Sequence, residues 1–229
     1  MPIIFDTFGP LPQATFGGTG IPNDEVAAGS SFVSGDTTIV VALSATQRFS
    51  ENPPLTSDNA GTFFATPGSN TPASDPNGLL GATWNFNFYI EVDNPNDPTL
   101  SVDDFEVDLF YDFDPAPNTV LADLGRIDID SGTAAAVLSG DIAPNPTVVQ
   151  GSQNALFGFL QNDIPGFVDA PPLAPFDPSA LGEYTFALQI SGGGFAIETV
   201  SMKVVVPEPT AALALLAGPG LFVRRRVLG

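Results

Sequence analysis

Two stretches alternate apolar and polar side chains over nine or ten residues, and a period of two commits them to extended strands. In residues 82–92, Trp84, Phe86, Phe88, Ile90 and Val92 point one way, and Asn85, Asn87, Tyr89 and Glu91 the other. In residues 104–113, Phe105, Val107, Leu109, Tyr111 and Phe113 share a face. Asp104, Glu106, Asp108 and Asp112 share the opposite one, interrupted by Phe110. Such a strand is half-buried, with one face on a core and one in water. The connection between the two, DNPNDPTLSVD at 93–103, consists largely of turn formers.

The same reading predicts strands at 37–43, 120–130, 147–150, 156–160, 183–190 and 195–206. The last two join as a hairpin through the glycines at 192–194. Gly and Pro number 23 each and concentrate in long loops such as 66–81 and 161–178. Eight or so short strands at this spacing predict an all-β domain, an antiparallel β-sandwich or jelly roll, over residues 1–205. Residues 1–28 form either a first strand or a loose arm. The stretch that reads as helix is AALALLA at 211–217, inside an apolar run at 210–223. Its 14 residues span about 21 Å as a helix, against about 30 Å of hydrocarbon. Gly218, Pro219 and Gly220 would bend it, and Arg224, Arg225 and Arg226 close it with a positive stop.

Composition removes several function classes. The chain has no cysteine and no histidine. That excludes disulfides, thiolate metal centres, cysteine nucleophiles and any Ser–His–Asp triad. The net charge is −20, and residues 1–206 hold three cations against twenty-five acids, a charge of −22. Such a surface repels phosphate backbones, so a nucleic-acid partner is not expected.

Carboxylates supply the remaining candidates. Asp108, Asp112 and Asp114 lie on and just after a predicted strand, and Asp128 and Asp130 form a second D-x-D. Hard cations take oxygen ligands, so calcium is the candidate metal for these five. An EF-hand starting at Asp93 fails, because Pro95 and Pro98 stand where a ligand and a glycine are needed. A glycosidase needs two carboxylates in defined geometry, and a chain with 26 acids always offers a pair, so nothing points to an enzyme. Tyr89, on the polar face beside Asn85 and Asn87, is the candidate glycan contact. Arg48 and Arg126, rare cations in an acidic body, are each expected to pair with a nearby carboxylate.

The C-terminus carries Val206-Pro207-Glu208-Pro209, the apolar run, then Arg224-Arg225-Arg226. Three parts in this order resemble a PEP-CTERM sorting signal. Segments 15–24, 43–49, 83–92, 108–118 and 176–190 are similar to secreted β-rich proteins that carry such tails. The resemblance implies export, insertion of the tail at 206–229 in the membrane, and processing by an exosortase-type membrane enzyme. The destination it implies is the cell surface or extracellular matrix. It brings no catalytic residues. Members usually begin with a signal peptide, whereas residues 1–20 show neither a basic start nor a long apolar core. The expectation is a non-catalytic surface or matrix protein; the alternative is a calcium- or polysaccharide-binding sandwich module.

Overall fold

A computed structural model describes residues 1–16, 21–29, 32–34, 36–75, 77–192 and 195–208. Pro209 and the rest of the sorting tail, with its expected helix and Arg224–226, lie outside the described residues, as do two of the three hairpin glycines.

The chain is mostly β, in sheets that are antiparallel at nearly every pairing, consistent with a β-sandwich. The first sheet runs in the order Thr7–Gly9, Val26–Ala28, Thr37–Gln47, Trp84–Asp93, Val148–Gln153, with Phe32–Ser34 also paired to Thr37–Gln47. The second runs Val168–Asp169, Gly125–Asp128, Phe105–Tyr111, Gly182–Gly192, Phe195–Val206, Thr62–Phe64, Thr56–Ser57. Among the described residues, one pairing in it is parallel and joins Phe195–Val206 to Thr62–Phe64. Ser69–Asn70 and Gly81–Ala82 form a small ribbon.

The alternating residues build the core. Trp84, Phe86, Phe88, Ile90 and Val92 from the first sheet are buried with Val107, Leu109, Tyr111, Tyr184, Phe186 and Leu188 from the second. Phe86 stacks on Phe186 at 4.6 Å between ring centroids and lies parallel to Tyr111 at 6.2 Å. Trp84 meets Phe176 and Phe186 edge-on, each at 6.0 Å. Offset and edge-to-face contacts of this kind satisfy the ring quadrupoles while burying large apolar area. Buried Asn154 accepts the Ala82 N–H and donates to the Ala82 and Trp84 carbonyls, so it fixes where the Trp84 strand begins.

Within residues 1–28, Thr7–Gly9 and Val26–Ala28 are strand, and the residues described between them are not. Ile4 bridges to Ser201 in the second sheet, and Thr7–Gly9 pairs with Val26–Ala28 in the first. The chain then crosses the outer face of the first sheet, where Leu11, Ala14 and Phe16 pack on Val26, Ala42 and Tyr89.

Two sequence expectations are corrected. Residues 156–160 are not a strand: a 3-10 turn occupies Gly158–Gln161. Residues 120–130 are strand only over Gly125–Asp128, and an α-helix follows at Ile129–Ser139, where no helix was expected. Asp128 caps that helix by accepting the Ser131 N–H at 2.8 Å, and Gly140 ends it in the left-handed conformation at φ 82°. Each is a strong local signal for a helix end. The alternation of Ile127, Asp128, Ile129 and Asp130 imitates a strand and conceals both.

Candidate functional site

The five acids nominated for calcium do not converge. Asp108 and Asp128 face each other across paired strands, and Arg126 lies between them. The Arg126 Nε donates to Asp108 at 2.7 Å, and its other nitrogens lie 3.6 Å from Asp128 and 3.3 Å from Asp169. Asp130 instead accepts the Val107 N–H at 3.2 Å; burial, with Asp128 nearby, pushes its carboxyl above the ordinary range. Asp112 and Asp114 sit beyond the other end of the same strand. Asp114 accepts the Ala116 N–H, and Asp112 accepts those of Asp114 and Thr185. Among the described residues no group of three or more acids is placed to hold a metal ion. Arg126 therefore finds its expected carboxylate partners, and in doing so engages two of the five.

Asp112 is 1 % exposed. Burial raises its carboxyl above the usual 3.8, and the hydrogen bonds it accepts oppose that shift only in part. The sign of the pH dependence follows. A group whose pKa is raised in the folded state holds its proton more tightly folded than unfolded, so its contribution to stability falls as pH rises from 3.8 through the folded value. Asp112→Asn is expected to gain stability relative to the parent over that window, with a constant difference above it. Urea unfolding of both proteins between pH 3 and 7 checks this, and a pH-independent difference would refute the assignment.

Tyr89 is also corrected. It lies outside the main hydrophobic core, as the alternation requires, but it is 1 % exposed and packed with Leu11, Ala14 and Phe16. Its hydroxyl donates to Glu91 at 2.9 Å. An aromatic ring covered by the chain's own N-terminal segment offers no platform to a glycan. The alternation identified the face, but the covering residues come from far away in sequence.

A cleft on the molecule gathers different residues. It encloses about 460 Å³ and is lined by Arg48, Phe49 and Ser50, which follow the strand Thr37–Gln47; by Ser74, Asp75, Asn77 and Leu79; by Asn85 and Ser152 of the first sheet; and by Phe16, Ile21 and Phe157. Arg48 forms its floor and is 4 % exposed. Its guanidinium donates to Asp75 at 2.9 Å, to the Leu79 carbonyl at 3.0 Å and to the Asn70 carbonyl at 3.2 Å. Asp75 in turn accepts the backbone N–H groups of Asn77 and Leu79. These bonds, and the Arg48 charge, hold its carboxyl below the ordinary range. The guanidinium packs against Gly81, where a Cβ would come within 2.2 Å of Nη1, so a larger residue there would push the guanidinium off the oxygens it binds. The Phe49 ring also packs on the guanidinium, its centroid 5.1 Å from the Arg48 Cζ.

The sequence indicates that Arg48 should be paired, but not with which acid, nor that Phe49 stands beside it. Asp75 lies in a loop of Asn, Pro, Ser and Gly with no periodicity to place it. No family model, curated protein or solved structure matches the chain.

Proposed function

We propose that this chain is an exported, non-catalytic protein of the cell surface or extracellular matrix, delivered and trimmed through its C-terminal tail by an exosortase-type enzyme. The observation that carries the reading is the order of parts at the C-terminus: Val206-Pro207-Glu208-Pro209, the apolar run and the arginine triplet. The folded body gives that order physical support. The last strand runs to Val206, which is buried, whereas Pro207 is half-buried and Glu208 exposed. Neither proline has an N–H to offer a neighbouring strand, and a proline disfavours a helical conformation in the residue before it. The motif therefore begins where the sheet stops, and a processing enzyme can reach it without unfolding the domain. In this reading the apolar run forms a short helix that holds the chain at the membrane while the arginines stay on the cytoplasmic side. An acidic body without thiols or imidazoles suits a matrix role, with polysaccharide as the surrounding partner.

Intact-mass and peptide mass spectrometry of the protein recovered from its native host tests the proposal. The expected result is a chain in the surface or extracellular fraction that ends near Pro207–Pro209. A chain ending at Gly229 in the cytosolic fraction would overturn it.

A further inference from the structure

We propose that the cleft above Arg48 is a binding site for an uncharged saccharide. The inference is independent of the sorting tail.

The first observation is a strained aromatic. Phe49 has φ 60°, in the left-handed region that a bulky side chain adopts only at a cost. Asparagine or glycine would take that conformation more readily. The strained backbone holds a half-buried phenyl ring on the cleft wall, packed on the Arg48 guanidinium. Strain of this kind concentrates where a side chain must be presented in one direction.

The second observation is charge. The cleft floor is a paired Arg48 and Asp75, each side chain about 5 % exposed or less. The guanidinium already donates to three protein oxygens, one of them the Asp75 carboxylate, so its charge is met before an anion arrives. A body carrying −22 repels anions before they arrive. Asp75, the carboxylate in the cleft lining, is likewise already paired, so neither an anion nor a cation meets an unpaired opposite charge there, and the lining suits a ligand without net charge.

The third observation is the wall chemistry. Phe49 and Phe157 supply apolar faces, and Ser50, Ser74 and Asn77 supply hydroxyl and amide groups at an exposed rim. A pyranose ring has the matching pair of surfaces: a C–H face that packs on an aromatic ring and equatorial hydroxyls that need both donors and acceptors. The volume of about 460 Å³ lies within the range of small-molecule sites and accommodates one or two sugar rings.

The test is isothermal titration of the full chain with cellohexaose, xylohexaose and mannohexaose, with oligogalacturonate as the charged comparison. At least one neutral oligosaccharide is expected to bind with 1:1 stoichiometry, and oligogalacturonate is not. Phe49→Asn is expected to weaken that binding about tenfold or more while leaving the melting temperature equal or higher, because the strain goes with the ring. Loss of affinity without loss of stability distinguishes a presented ligand contact from a packing residue. Should Phe49→Asn unfold the domain, Asn77→Ala on the exposed rim replaces it and is expected to weaken the same binding. Absence of binding to all three neutral oligosaccharides, binding of oligogalacturonate alone, or affinity unchanged by the substitution would overturn the proposal.

Discussion

Phe86→Ala lowers the free energy of unfolding by about 3–5 kcal/mol, read as a fall in the urea midpoint at unchanged slope. The size follows from where the ring sits. Phe86 is fully buried, stacks on Phe186 at 4.6 Å and lies parallel to Tyr111 at 6.2 Å. It belongs to the first sheet and its two partners to the second. Truncation removes the transfer free energy of the ring and leaves a cavity between sheets whose backbones are fixed by long ladders on both sides. Phe86→Leu keeps most of the volume and is expected to cost less than half as much. Phe157→Ala offers the contrast, because that ring is half-buried beside the cleft, and it should cost about 1–2 kcal/mol. If Phe86→Ala and Phe157→Ala cost the same, the two sheets do not meet through Phe86.

The core was legible because alternation is a local property. Each of the five apolar positions read from residues 82–92, and each of the five from 104–113, is buried. A strand's register needs no knowledge of its partner to assign its two faces. What covers the outer face is a different matter. Tyr89 lies on the polar side of its strand and is nevertheless buried, because Leu11, Ala14 and Phe16 cross over it from more than seventy residues away. The helix Ile129–Ser139 was lost for a related reason. Its capping Asp128 also continues an alternating tetrapeptide, and its Ala-rich run has no polar stripe to betray a helical period. The site was the least legible part. Arg48 was expected to find an acid, yet the choice of Asp75, the glycine against the guanidinium and the strained Phe49 beside it all depend on loop geometry, which no periodicity encodes. The carboxylates that sequence spacing grouped as metal ligands instead satisfy Arg126, a helix cap and backbone N–H groups. Spacing along a strand cannot distinguish an acid waiting for a cation from one already engaged.

Gly182→Ala is the second large effect, about 2–4 kcal/mol of lost stability. A Cβ at this position would stand 2.1 Å from the Pro115 carbonyl oxygen and 2.6 Å from its Cβ. The obstacle is backbone, so no rotamer change relieves it. That oxygen also accepts the Glu183 N–H at 3.1 Å, a bond the displaced loop would lose. More than one bond is at stake. Glu183 accepts the Asn118 N–H at 2.9 Å and Lys203 Nζ at 2.7 Å, so the loop, the Glu183 strand and the final strand share one network. Burial opposes ionisation of Glu183, but its hydrogen bonds to Lys203 and Asn118 win and hold the carboxyl below its ordinary value. Gly158→Ala, with open space around the added methyl, serves as the control and should change stability by less than about 0.5 kcal/mol. The position has a consequence for the tail. Gly182 pairs with Val206, the last residue before Pro207. Forcing Gly182 away from Pro115 disturbs the rung at which the tail leaves the sheet. Amide exchange at Val205 and Val206 should therefore accelerate in Gly182→Ala more than at Val200 or Met202 in the middle of the strand. Uniform acceleration along the strand would mean that the exit rung has no stability of its own and opens only with the whole domain.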